Sequence, residues 1–217
     1  PYAAYAASML ETLPPATTTI VASPTQRGLD WLFSPTGGHS SRDEGKATMA
    51  NDQQSSDTGL NLQSTTIMFA DVVESVRLIR DHQARYVARW RVLLAQLTSI
   101  VVAAHGNIIE RRGDGLLITF GTPRAAAGVA LRFHRCCQAA NVEHPDDDTI
   151  VMRIGVHSAA VLIEDGSIFG DGVNVTARVA SLAGPGETVF SDAARDGLTA
   201  GVDAEVEDLG DCFVKHL

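Results

Sequence analysis
The chain has 217 residues, 45% of them hydrophobic, and a formal net charge of −9. That length holds one full domain with an appendage or two small domains, and the apolar share is enough for a core. The acidic balance, with no long basic run, speaks against a nucleic-acid surface, and no apolar run approaches the length that spans a bilayer. Three cysteines, two of them adjacent (Cys136 and Cys137), make no disulfide framework. They read as buried thiols of a reducing compartment, so a cytoplasmic location is expected.

The first residue is Pro1 rather than Met, so a fragment or a processed end is expected, and PYAAYAASMLETL lacks the basic region that opens a signal peptide. Residues 1–63 are rich in Ala, Thr, Ser, Pro and Gly and show little periodicity. They are expected to form a disordered leader or linker, with one short helix in 2–13; the alternative is a piece of an upstream domain. Trp31-Leu32-Phe33 is an isolated apolar cluster that can touch a partner surface.

A folded domain is expected over 64–217. TTIMFADV, from Thr65, is a buried strand that ends at Asp71. A helix follows from Glu74, and a longer one from about 83 to 104, where Val87, Trp90, Leu93, Leu94, Leu97, Ile100 and Val101 recur at spacings of three and four. His105-Gly106 ends it, glycine being the usual residue past a helix. NIIERRGDGLLITF (107–120) reads as strand, tight turn, strand. A helix from about 123 to 140 has Pro123 near its start. His144-Pro145-Asp146-Asp147-Asp148 reads as a solvated polar loop rather than a cation site. A strand over 149–157 is expected to pair with a hairpin partner over 159–164, followed by a turn at Asp165-Gly166. A helix over 171–183 stops at Gly184-Pro185-Gly186. Short elements then follow: strand 188–191, helix 192–198 and strand 204–209. The order βααββαββαβαβ predicts an α+β fold, a ferredoxin-like sandwich with a mixed or antiparallel sheet and helices packed on it.

Alone, Gly113-Asp114-Gly115 is a hairpin turn. Asp71, however, ends a neighbouring buried strand, and two carboxylates at the ends of adjacent strands can share a magnesium ion that keeps its other positions for phosphate and water. A helix begins just after Asp71, and its free N–H groups make a phosphate cradle over Val73, Glu74, Ser75 and Val76. Asn174 and Arg178 are four apart and share one face of a helix otherwise lined with small apolar residues. The Asn174-Val175-Thr176 sequon is set aside for a chain of this composition. His82, His134 and His157 have no partner at metal-ligand spacing and read as core or surface residues.

Four stretches in order, FADVVESVRLI, ERRGDGLLITF, MRIGVHSAAVLIEDG and IFGDGVNVTARVASLAGPGETVFSD, resemble the catalytic domain of class III adenylyl and guanylyl cyclases of the bacterial homology-domain type. The likeness covers residues 65–217, and the chain stops at LGDCFVKHL, where such domains run on for one more strand, so a truncated end is expected. The resemblance implies that Asp71, Asp114 and the Val72 carbonyl bind two Mg²⁺ or Mn²⁺ ions per site. It makes Asn174 the residue that orients the ribose, Arg178 the one that meets charge on the α-phosphate, and Lys215 a contact of the terminal phosphates. It implies conversion of a nucleoside triphosphate into a 3′,5′-cyclic nucleotide and pyrophosphate in intracellular signalling, largely by positioning and charge stabilisation. It also implies a head-to-tail homodimer with composite sites at the interface.

Base choice in such domains rests on two positions, four residues before the second metal aspartate and seven before the asparagine. Here they hold Glu110 and Ser167. Guanine presents N1–H and N2–H₂ donors to a carboxylate and O6 to a hydroxyl, whereas adenine N1 is an acceptor, so GTP is expected over ATP. The alternatives are an adenylyl cyclase with atypical base contacts and a catalytically weak domain that serves as a dimerising regulatory module. A diguanylate-cyclase-like palm lacks support because no GGDEF-type turn is present. The phosphate loop also departs from the pattern, with Glu74 where glycine is common and Val76 where Thr or Ser is common.

Overall fold
Strand β2 (Leu62–Val72) lies inside the sheet, between two other strands, and both of its faces carry buried residues. A computed structural model describes residues 17–24, 62–142, 144, 148–198 and 204–212, all within one unit. The other elements are β1 (Thr17–Pro24), α1 (Ser75–Ala103), β3 (Asn107–Arg112), β4 (Gly115–Phe120), α2 (Pro123–Asn141), β5 (Met152–Glu164), β6 (Ser167–Phe169), α3 (Asp171–Leu182), β7 (Thr188–Phe190), α4 (Asp192–Arg195), a 3₁₀ turn (Asp196–Leu198) and β8 (Ala204–Cys212). The sheet order is β3-β4-β2-β5-β7-β1-β8, with β6 paired to β5. Only β5–β7 is parallel, across the α3 crossover. The β2-α1-β3-β4-α2-β5 portion is the ferredoxin-like unit, and the fold class is the expected α+β sandwich.

The unbroken apolar run in β2 follows from its two covered faces. Met68, Ala70 and Val72 join a core with Leu93, Leu97 and Phe133 of α1 and α2. Ile67, on the other face, packs with Leu117, Val161 and Ile168 beside Val173 of α3. Gly155 permits α3 to lie this close: a Cβ there would stand 2.2 Å from the Ala180 nitrogen. By length and composition α1 is apolar enough to cross a membrane. It serves instead as a core helix, with Leu78, Tyr86, Trp90, Leu93, Leu97 and Val101 buried in a stripe.

Several expectations are corrected. Residues 17–24, assigned to a disordered leader, form β1 and pair with β7 and β8. The β-branched run TTTIV suits a strand, but it is too short to announce itself without its distant partners. Residues 62 and 63 likewise belong to β2. The short helix in 2–13 and Trp31–Phe33 lie outside the described residues. By contrast, the two helices expected from Glu74 onward are borne out: within the span Ser75–Ala103 they meet at His82, whose φ of −144° and ψ of 42° are not helical, next to the expected start near residue 83. The left-handed residue that ends the span is His105 (φ 54°), while Gly106 is required for space, since a Cβ would reach within 2.5 Å of Phe120. Residues 159–164 are no hairpin partner: β5 runs unbroken because the long β2 offers pairing as far as Leu62↔Leu162, and the partner across Asp165-Gly166 is β6.

Asp148 corrects the solvated-loop reading. Its carboxylate is 1% exposed and accepts from Arg85 at 3.2 Å, with Arg89 at 3.4 Å. Arg89 also donates to the Asp148 and Ala140 carbonyls and to Asn141 Oδ1, and Asn141 brackets the backbone of Ile150. This cluster ties α1 to the end of α2 and the approach to β5. Breaking a buried ion pair by removing one partner costs about 3–5 kcal/mol, so Asp148→Ala is expected to lower the denaturant midpoint sharply.

His134 of α2 is buried, with Nε2 2.8 Å from Thr188 Oγ1. Burial pushes its imidazole down to about 4. Between pH 6.5 and about 4 the unfolded chain takes up a proton that the folded chain refuses, so stability is complete above that window and falls as pH drops through it. The loss approaches about 3 kcal/mol at its acid end. Burial lowers His157 as well. Chemical denaturation from pH 7.5 to 4 is expected to show a shallower decline for His134→Gln than for the wild type.

Candidate active site
The last pairing of β2 with β4 is Ala70↔Leu116. One residue further, Asp71 stands where the Gly113-Asp114 turn arrives, so strand register alone sets the two carboxylates side by side. The turn needs Gly113 in the left-handed region (φ 58°). On its other side Asp71 is the register partner of Arg153 in β5. Arg153 Nη2 donates to Asp71 Oδ2 at 2.9 Å and Nε at 3.3 Å. Burial raises the Asp71 pKa above the usual carboxylate value; the bond from Arg153 opposes this, and the charge and hydrogen bond of Asp114 add to it.

This electrostatic setting fits a divalent cation. Two carboxylates share one corner, partly removed from water; the guanidinium of Arg153, bonded to Asp71 Oδ2, is a positive charge that a cation there would have to displace or share. Among the described residues no cluster of three or more His, Cys, Asp and Glu side chains occurs. A pair of this kind suits an ion that retains water and phosphate oxygens, as Mg²⁺ and Mn²⁺ do, better than one wanting a full protein cage.

The turn is held from behind by α1. Trp90 Nε1 donates to the Gly113 carbonyl at 3.1 Å. Tyr86, one helical turn earlier, is buried, and its hydroxyl has no partner among the described residues. Its phenol is pushed well above the ordinary range, by burial first and then by the charges of Asp114 and Asp71.

The four expected cradle residues differ in their backbone bonding. Val73 is removed from the cradle, because its N–H donates to the Val151 carbonyl at 2.8 Å. Glu74, Ser75 and Val76 precede the first intrahelical bond, which Arg77 makes to the Glu74 carbonyl. Glu74 holds a left-handed conformation (φ 53°), which costs a side-chain-bearing residue about 1–2 kcal/mol. Its carboxylate pairs with Arg77 at 2.8 Å.

The remaining candidates lie elsewhere. β3 has a bulge between Ile108 and Glu110, which re-aims Glu110, and Arg112 Nε bonds its carboxylate at 2.5 Å. Ser167 opens β6, exposed and opposite Glu164. Asn174 and Arg178 are half-buried on α3, and no hydrogen bond or ion pair among the described residues links either to Asp71 or Asp114. Lys215 lies outside the described residues. The structure therefore joins Asp71, Asp114 and the start of α1, and shows no direct bond from Asn174, Arg178, Glu110 or Ser167 to the two carboxylates among the described residues. Arg153, Tyr86 and Trp90 were not singled out from the sequence. Strand alternation places Arg153 on the face opposite Met152 and Ile154, but only the register with β2 pairs it with Asp71.

Comparison with known proteins accords with this arrangement. Residues 60–216 match the family model described as the adenylate and guanylate cyclase catalytic domain. A Rhizobium meliloti protein named "Putative adenylate cyclase 3" is 36% identical over 155 residues, covering 70% of this chain and 26% of that protein. The adenylate cyclase of Glutamicibacter nicotianae is 32% identical over 152 residues, covering 69% of this chain and 36% of its own. The chain thus spans about a quarter to a third of these relatives. Among solved structures, an adenylate/guanylate cyclase/hydrolase of Silicibacter pomeroyi superposes with a TM-score of 0.58 at 30% identity, covering 63% of this chain and 80% of that one.

The raised Asp71 pKa means that its contribution to stability is present below the ordinary carboxylate pKa and is lost as pH rises through the raised one; at neutral pH a bound cation restores it. Mn²⁺ at about 100 times its dissociation constant is expected to raise the melting temperature by several degrees. Asp71→Asn is expected to melt no lower than the wild type without metal and to lose the Mn²⁺ response, as read by differential scanning fluorimetry.

Proposed function
The chain belongs to the adenylate and guanylate cyclase catalytic domain family, and from that premise we propose that it converts a nucleoside triphosphate into a 3′,5′-cyclic nucleotide and pyrophosphate, in cytoplasmic signalling. The observation that carries the reading is the juxtaposition of Asp71 and Asp114 beside the start of α1. Asp71, Asp114 and the Val72 carbonyl would hold two Mg²⁺ or Mn²⁺ ions. When bound, these acidify the ribose 3′-hydroxyl and offset phosphate charge.

The chain's own groups do the rest. The N–H groups of Glu74, Ser75 and Val76 receive phosphate oxygens at the helix N-terminus. Arg178 meets the charge that grows on the α-phosphate, Asn174 orients the ribose, and Lys215 contacts the terminal phosphates. Asn174 and Arg178 would face the carboxylates of a second copy in a head-to-tail homodimer with composite sites, each copy completing the other.

Glu110 supports GTP, since its carboxylate accepts from guanine N1–H and N2–H₂ while Ser167 donates to O6. The names of the two bacterial relatives favour a second reading, an adenylate cyclase with atypical base contacts.

Cyclic product formed from GTP and from ATP, under Mg²⁺ and Mn²⁺, tests the reading. GTP is expected to be preferred; a clear ATP preference replaces the first reading with the second. Arg178→Ala is expected to lose roughly 10³-fold in kcat, and activity surviving Asp71→Ala discards the metal assignment. Mixing the two inactive variants is expected to restore up to about a quarter of wild-type activity, because half the dimers are mixed and hold one intact site.

A further inference from the structure
The buried hydroxyl of Tyr86 is unexplained by packing. The residue is 3% exposed, and among the described residues its oxygen has no hydrogen-bond partner. A phenylalanine would fill the same space without stranding a polar group, and native cores rarely leave such groups unsatisfied. The position of the residue indicates what the hydroxyl serves. Tyr86 and Trp90 are one helical turn apart on the buried stripe of α1, and Trp90 is bonded to the carbonyl of Gly113, the residue before Asp114. The same stretch of helix therefore backs the carboxylate corner.

The donor count at that corner points the same way. An ionised carboxylate only accepts hydrogen bonds, and a carboxylate pair presents several lone-pair sites. Arg153 takes Asp71 Oδ2. Burial first, and after it the charges of Asp114 and Asp71, raise the pKa of the phenol, so at neutral pH it keeps its proton and is a donor.

We infer that Tyr86 is a positioning residue of the cation site: its hydroxyl, without a partner among the described residues, is a donor held behind the Asp71–Asp114 turn that bonds a carboxylate oxygen when that pair grips a divalent ion. The inference rests on the metal role proposed for that pair. Outer groups that hydrogen-bond to metal ligands typically change affinity by about 10–100-fold when lost.

The test is Mn²⁺ binding by electron paramagnetic resonance on nucleotide-free protein, comparing wild type with Tyr86→Phe, Trp90→Phe and Asp71→Asn. Tyr86→Phe keeps the ring, so its metal-free melting temperature is expected to match or exceed that of the wild type. Its Mn²⁺ dissociation constant is expected to rise about tenfold. Trp90→Phe, which frees the turn while keeping an aromatic ring, is expected to weaken Mn²⁺ as well. Mn²⁺ affinity in Tyr86→Phe that is within twofold of wild type, or tighter, overturns the inference while leaving the cyclase reading intact. Wild-type protein that binds Mn²⁺ no better than Asp71→Asn overturns the metal role itself and the inference with it.

Discussion
Two carboxylates of like charge, Asp71 and Asp114, are held against one another at one end of the sheet, and the surrounding structure answers to that constraint. Charges about 4 Å apart near a protein surface repel by about 4 kcal/mol, so a fold that enforces such a meeting must be rigid on both sides. The rigidity comes from β2. Its pairing with β4 ends one residue short of Asp71, and its pairing with β5 sets Arg153 directly across. Arg153 offsets part of the repulsion, while burial first and the charge of Asp114 after it hold the Asp71 pKa above the usual carboxylate value.

Helix α1 serves this corner twice. Its beginning leaves N–H groups unpaired beside the carboxylates, and its middle pins the turn through Trp90. The kink at His82 separates the stretch that begins beside the carboxylates from the stretch that carries Trp90. The far side of the same helix is fastened by Arg85 and Arg89 to buried Asp148, and through Asn141 to the backbone at Ile150. A buried ion cluster is a weak source of net stability but a strict one of geometry, because each partner is costly to leave alone.

The rest of the candidate machinery sits on other elements. α3 lies closely on the sheet because Gly155 leaves room for Ala180, and it carries Asn174 and Arg178 without joining them to the carboxylates. Glu110 is turned by a bulge in β3.

Much of this was legible in residue order. The apolar run of β2, the three-and-four spacing along α1, the Gly-Asp-Gly turn and the Asn174–Arg178 pair each declare themselves locally, because helix and strand periodicities are properties of neighbouring residues. So were Asp71 and Asp114 as a pair at adjacent strand ends. What residue order left undetermined depends on partners distant in the chain. β1 is a strand only because β7 and β8 flank it, β5 is continuous only because β2 is long enough to accompany it, and Asp148 is buried only because two arginines of α1 reach it. Arg153, Tyr86 and Trp90 look like ordinary strand and core residues until register and packing set them around the carboxylates. The sequence by itself determined the elements and the chemical groups available. The tertiary structure decided which of those groups face one another, because register and helix packing are fixed by long-range pairing that no local pattern encodes.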